Sequence, residues 1–155
     1  MAMTLVSTVT LGSSGDIQFT NIPQDGVDLV CLVAAQTAQF QLVINSTLSV
    51  YSNLYLQGDS SGVATSSNGP TNLRWDLRGG ALSSPNRGNA MIYIPNYTGS
   101  QAKCASADTV SPYEAVNYFS YLWAGASTIT SAVSTLLVRQ LQAGSTASLY
   151  KITAD

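Results

Sequence analysis

The stretch Gln39-Phe40-Gln41-Leu42-Val43-Ile44-Asn45 carries the period that decides the fold class. Phe40, Leu42 and Ile44 fall on one side of an extended chain, with Gln39, Gln41, Val43 and Asn45 on the other. A repeat of two describes a β-strand with one buried face. Upstream, Ile17, Phe19 and then Ile22 stand against Asp16, Gln18 and Thr20 in the same way. Working outward, further strands are predicted at Thr4 to Leu11, Asp28 to Ala35, Asn53 to Gln57, Ala90 to Ile94, Asn117 to Trp123, Ser131 to Val138 and Ala147 to Thr153. All are short and rich in Val, Ile, Thr, Tyr and Phe. Turn residues separate them, as in Gly12-Ser13-Ser14-Gly15, Pro23-Gln24-Asp25-Gly26 and Pro95-Asn96-Tyr97-Thr98-Gly99.

No segment holds a sustained helical stripe. The best helix start is Ser111-Pro112-Tyr113-Glu114, whose Ser and Glu three residues apart form a capping-box pattern good for a turn or two. Without alternating strands and helices there is no crossover to carry parallel strands. The expectation is therefore an all-β, antiparallel sandwich of jelly-roll type, with eight to nine short strands in one domain spanning residues 1–155. Phe19, Phe40, Leu42, Ile44, Ile92 and Trp123 are its expected core, and Pro23 and Pro95 are expected to set turns.

Composition narrows function. The 155 residues include 45% hydrophobic but only 9% charged residues, against the roughly 25% of an ordinary soluble domain. The polar surface comes instead from 36 serines and threonines, with Asn and Gln. A formal net charge of −2 offers no footprint for phosphates, so neither nucleic acid nor an anionic membrane is an expected partner. No apolar run approaches the roughly 20 residues of a spanning helix. Met1 to Leu11 has neither the basic start nor the apolar run of a secretory signal.

The absence of histidine removes Ser-His-Asp and Cys-His relays and the usual zinc and iron sites. Asp59-Ser60-Ser61-Gly62 lacks the alternating carboxylates of a calcium loop. The other acids are scattered at predicted turns, so no catalytic residue, metal ligand or cofactor motif is assigned. Cys31, inside Leu29-Val30-Cys31-Leu32-Val33, reads as a buried thiol, although a bridge to Cys104 is compatible with the sequence.

One excursion breaks the strand rhythm. Residues 58–88 are dense in Gly, Ser, Asn and Pro, interrupted by Leu73-Arg74-Trp75-Asp76-Leu77-Arg78. They hold Arg74, Arg78 and Arg87, three of the six basic residues, beside Trp75. The plain reading is a strand from Asn72 to Leu77 within a loop. The sharper one is a partner-binding arm, because Trp and Arg most often carry interface energy. Arg74, Trp75, Arg78 and Arg87 are the candidate contact residues, together with the N-terminal strand.

Several segments in order resemble a family of small structural proteins of tailed bacteriophages: Ile17-Gln18-Phe19-Thr20-Asn21-Ile22-Pro23-Gln24, Asn53-Leu54-Tyr55-Leu56, Met91-Ile92-Tyr93-Ile94-Pro95-Asn96-Tyr97, and Ser145-Thr146-Ala147-Ser148-Leu149-Tyr150-Lys151-Ile152. The likeness runs from about residue 4 to 152. It departs from the family at Gln57-Gly58-Asp59 and at Lys151. The resemblance implies a virion component, assembled in the host cytoplasm. The chain has neither the heptads nor the repeats of a fibre shaft. The expectation is a capsid decoration, or cement, protein that forms a homotrimer on the head exterior and bridges subunits of the major capsid protein. The alternative is a tail-associated or fibre-type adhesion module whose tyrosines contact host glycans. An enzyme would need a carboxylate pair in a cleft, which the spacing does not supply.

Overall fold

The computed structural model of the chain describes residues 1–37, 39–47, 51–59, 62–72, 75–78, 88–113 and 117–154. Among them are twelve strands and no helix: β1 (Ala2–Thr10), β2 (Gly15–Phe19), β3 (Asp28–Ala35), β4 (Gln39–Ile44), β5 (Tyr51–Asp59), β6 (Gly62–Asn72), β7 (Trp75–Arg78), β8 (Gly88–Ile94), β9 (Cys104–Tyr113), β10 (Asn117–Ser127), β11 (Leu136–Leu141) and β12 (Thr146–Thr153). They form an eight-stranded sheet, ordered β1-β12-β3-β8-β9-β10-β5-β6, and a four-stranded sheet, ordered β2-β11-β4-β7.

All ladders are antiparallel, and four of them nest: β1 with β12, β2 with β11, β3 with β8, and β4 with β7. A ribbon folded so that first meets last and each inner pair follows is the winding of a jelly roll. Two hairpins, β5–β6 and β9–β10, are inserted into this winding. Both dock beyond β8, doubling the width of that sheet from four strands to eight. The two sheets close on one core that includes Ile17, Phe19, Phe40, Leu42, Ile44, Cys31, Ile92, Trp123 and Leu149, each 4% exposed or less. The expected core residues are all in it. Pro23 lies between β2 and β3, and Pro95 opens the turn after β8.

The structure corrects four expectations. The strand count is higher than eight to nine: β6 and β9 occupy stretches poor in strand formers, and β7 answers to the plain reading of a strand at Asn72 to Leu77 within the excursion. The excursion at 58–88 is not one loop: β6 and β7 fill much of it, and β6 satisfies its backbone against β5 from Asp59↔Gly62 to Tyr51↔Asn72. Residues 79–87 lie outside the described residues. The capping-box segment is not helical. Ser111, Pro112 and Tyr113 end β9, opposite Phe119, Tyr118 and Asn117 of β10, while Glu114 lies outside the described residues. Extending an existing ladder costs less than nucleating a single helical turn.

The fourth correction concerns Ser131 to Val138, where β11 starts only at Leu136. The residues before it are held as an irregular segment by Asn45, which adopts φ 53° just past β4. Its Nδ2 donates to Ala132 O at 2.8 Å, and its Oδ1 accepts from Ser134 N at 2.8 Å. Val133 N donates to Tyr97 O at 2.8 Å. Backbone groups spoken for in this way are not available to a ladder.

Cys31 and Cys104 are both free thiols, on β3 and β9 with β8 between them. Burial pushes the Cys31 thiol up to about 12, whereas Cys104 is exposed. A thiol reagent at mildly alkaline pH is expected to label the native protein at Cys104 alone and to reach Cys31 only after denaturation. Rapid labelling of both sites in the native state would contradict the packing of β3.

Candidate binding face

Period-two alternation on β3, β8, β9, β10 and β5 sends one set of side chains into the core and the other onto the outer face of the wide sheet. That outer set is apolar where an ordinary solvated sheet would be charged. Across strands it falls into rows. One row runs Ser148, Leu32, Met91, Asp108, Leu122, Leu56, and its neighbour runs Leu5, Tyr150, Val30, Tyr93, Ser106, Ala124, Leu54. Leu54 and Leu122 are each 57% exposed and Met91 50%, so large hydrophobic groups face water here. Across both rows Asp108 is the single formal charge.

Two shallow depressions lie on this face, of about 410 and 400 Å³. The first is lined chiefly by Leu32, Met91 and Val110, the second by Leu54, Leu56 and Leu122, and Asp108 borders both. Soluble monomers rarely expose contiguous apolar ground of this kind unless something binds it.

The polar end of the face is built around Asp28. Tyr93 donates its hydroxyl to Asp28 Oδ2 at 2.6 Å, and Asn96 N donates to Asp28 Oδ1 at 2.8 Å. The bond to Asp28 holds the Tyr93 phenol above its usual value. This tethers the turn after β8 to the start of β3. Next to it, Lys103 is 1% exposed and donates to Gly99 O at 2.6 Å and Gln101 O at 2.7 Å. Among the described residues no group of three or more His, Cys, Asp or Glu side chains could hold a metal ion.

Of the four candidate contact residues read from the sequence, the two that are described stand away from this face. Trp75 and Arg78 are in β7, at the edge of the four-stranded sheet, opposite Leu42 and Gln39. Arg74 and Arg87 lie outside the described residues. The other expected contact element, the N-terminal strand, is β1 and does border the wide face. Leu54, Leu56, Met91 and Leu122 were not singled out, although a signal for them existed. Leu54-Tyr55-Leu56 and Met91-Ile92-Tyr93 have no polar residue at alternate positions, so both faces of those strands had to be apolar.

Fold and face together define a jelly-roll sandwich whose widened sheet presents an outer surface with Asp108 as the single formal charge in its two apolar rows. No protein-family model and no curated protein matches the chain.

Proposed function

We propose that this chain is a structural protein of a tailed-bacteriophage virion, a decoration protein that sits on the head exterior and bridges subunits of the major capsid protein. The observation that carries the reading is the outer face of the eight-stranded sheet, with Leu54, Met91 and Leu122 exposed around one carboxylate. Cores of protein interfaces are depleted in charge in this way. Each 100 Å² of such surface removed from water contributes on the order of 2.5 kcal/mol in gross terms, before the costs of association. A protein that binds the assembled shell and not the free coat subunit stabilises the shell by mass action. Three copies around a threefold axis are the arrangement we assign.

The test is binding to purified expanded capsids that lack the protein. Leu122→Lys puts a long, strongly hydrated cationic chain at the centre of the face, opposite Asp108 in the ladder, while leaving the core untouched. It is expected to weaken shell binding at least about tenfold, near 1.4 kcal/mol. Wild-type affinity in that variant would remove the outer face as the docking surface.

A second reading, host adhesion, draws on Tyr150 and Tyr93, which share one cross-strand row of the same face and present rings suited to stacking on sugars. Glycan-array binding by a protein that ignores expanded capsids would favour it.

A further inference from the structure

The two sheets have four edges, formed by β1, β6, β2 and β7. Three of them carry features that natural proteins use to stop an edge from pairing with another chain. Strand β6 contains Gly69 and Pro70, and the proline has no N–H to offer. Strand β2 has five residues and begins Gly15-Asp16, with Asp16 tied to Arg139 Nε at 3.2 Å. Strand β7 has four residues, of which Asp76 and Arg78 are charged.

Strand β1 differs from all three. Its nine residues, Ala-Met-Thr-Leu-Val-Ser-Thr-Val-Thr, include no charge, no proline and no glycine. It is held firmly on its inner side. Val6 and Val9 pack against the core, and Thr8 and Thr10 share hydroxyl hydrogen bonds of 2.8 Å with Ser148 and Thr146 of β12. Among the described residues no strand pairs with its other side. A bulge between Leu5 and Ser7 divides it, and in the first segment Met3 and Leu5, 54% and 52% exposed, project onto the outer face of the wide sheet.

We infer that β1 pairs antiparallel with β1 of a second copy about a twofold axis, joining two eight-stranded sheets edge to edge. The edge's backbone groups require an extended strand, and an identical strand meets them with the same groups reversed. Residues 2–10 are uncharged, so two copies approach without repulsion. In an antiparallel pair of identical strands, outward residues can stand opposite outward residues. Met3 and Leu5 of both copies then cover each other, continuing the apolar row that begins Leu5, Tyr150, Val30. The contact is isologous, so it closes after two copies and covers the first segment of both β1 edges. This deepens the shell reading, on which its biological use rests, by naming how neighbouring copies on a shell would be linked; the contact itself can be tested without a capsid.

The experiment combines sedimentation velocity with amide hydrogen exchange on the full chain at low and high concentration. Wild type is expected to form, at high concentration, a species of twice the mass of the smallest one, with exchange slowed selectively in the segment before the bulge, residues 2–6. Met3→Lys and Leu5→Lys, both at exposed positions, are expected to keep the wild-type thermal midpoint and to weaken this doubling at least roughly tenfold. Leu122→Lys is expected to keep it. The inference is overturned if β1 amides exchange at the same rate at every concentration, if both edge variants still double, or if Leu122→Lys alone abolishes doubling. Doubling by a protein that does not bind capsids would sink the shell reading and leave the edge contact standing.

Discussion

Phe40→Ala is expected to lower the unfolding free energy by about 3–5 kcal/mol, a large share of the 5–15 kcal/mol that holds a typical domain. Phe40 is 1% exposed, on a strand that lies between β11 and β7 in the narrow sheet. Four strands must there cover the whole inner width of the jelly-roll winding, so each large side chain on β4 fills space that no neighbour can reach. Even the second face of β4 is covered, with Gln41 6% and Val43 1% exposed. A strand enclosed on both faces relaxes poorly around a lost ring, which places the cost toward the upper end of the range. Leu54→Ala is the control. It also removes a large apolar group, but from a position 57% exposed on the outer face, and should change stability by about 0.5 kcal/mol or less. Urea unfolding measures both, and equal losses would contradict the assignment of inner and outer faces.

How far the fold was legible follows from the kind of side chain at alternate positions. The predicted strand Asp28 to Ala35 coincides with β3, and those at Ala90 to Ile94 and Ala147 to Thr153 differ from β8 and β12 by two residues or fewer at each end. In these strands Val, Ile, Leu and Tyr advertise extended structure directly. Strand β9 alternates just as regularly, with Ala105, Ala107 and Thr109 buried, but alanine and serine are weak strand formers and the alternation is nearly silent. Its burial comes from docking between β8 and β10, information that lies in the partners. Strand β6 is the extreme case. Its Ser, Asn, Gly and Pro read as loop, and it is a strand because β5 supplies a ladder beside it.

The binding face was legible in part for a related reason. A sequence shows that both sides of Leu54-Tyr55-Leu56 are apolar, but it does not say which side meets the opposite sheet. Arg74, Trp75, Arg78 and Arg87 drew attention because their residue types are common in interfaces, whereas the face itself is made of ordinary leucines, a methionine and hydroxyls. What marks it is placement: two inserted hairpins widen one sheet beyond the area the narrow sheet can match strand for strand.

Lys103→Met is expected to cost about 1.5–3 kcal/mol, and the change should be concentrated at one end of the sandwich. The Lys103 ammonium is enclosed at the end of the β8–β9 connection, donates to Gly99 O at 2.6 Å and Gln101 O at 2.7 Å, and approaches Thr130 O at 3.4 Å. Its backbone N–H donates to Ile129 O at 3.0 Å, and its carbonyl accepts from Ser127 N at 2.8 Å. One residue, by side chain and backbone together, therefore joins the turn after β8 to the segment after β10. Among the described residues it makes no salt bridge, and carbonyl dipoles offset the loss of water. Methionine keeps the stem and the volume but removes the charged donor from these part-buried carbonyls. Burial also pulls the Lys103 ammonium below the usual lysine range. The native protein then releases this proton at lower pH than the unfolded chain does. Within that window the unfolded state binds more protons, and stability rises with pH. The wild-type advantage over Lys103→Met should accordingly grow as pH climbs toward the ordinary lysine value and shrink as pH falls through the native one. Urea titrations of both proteins at neutral and alkaline pH measure this difference. A gap that closes with rising pH would mean that the carbonyls stabilise the charged ammonium more than water does.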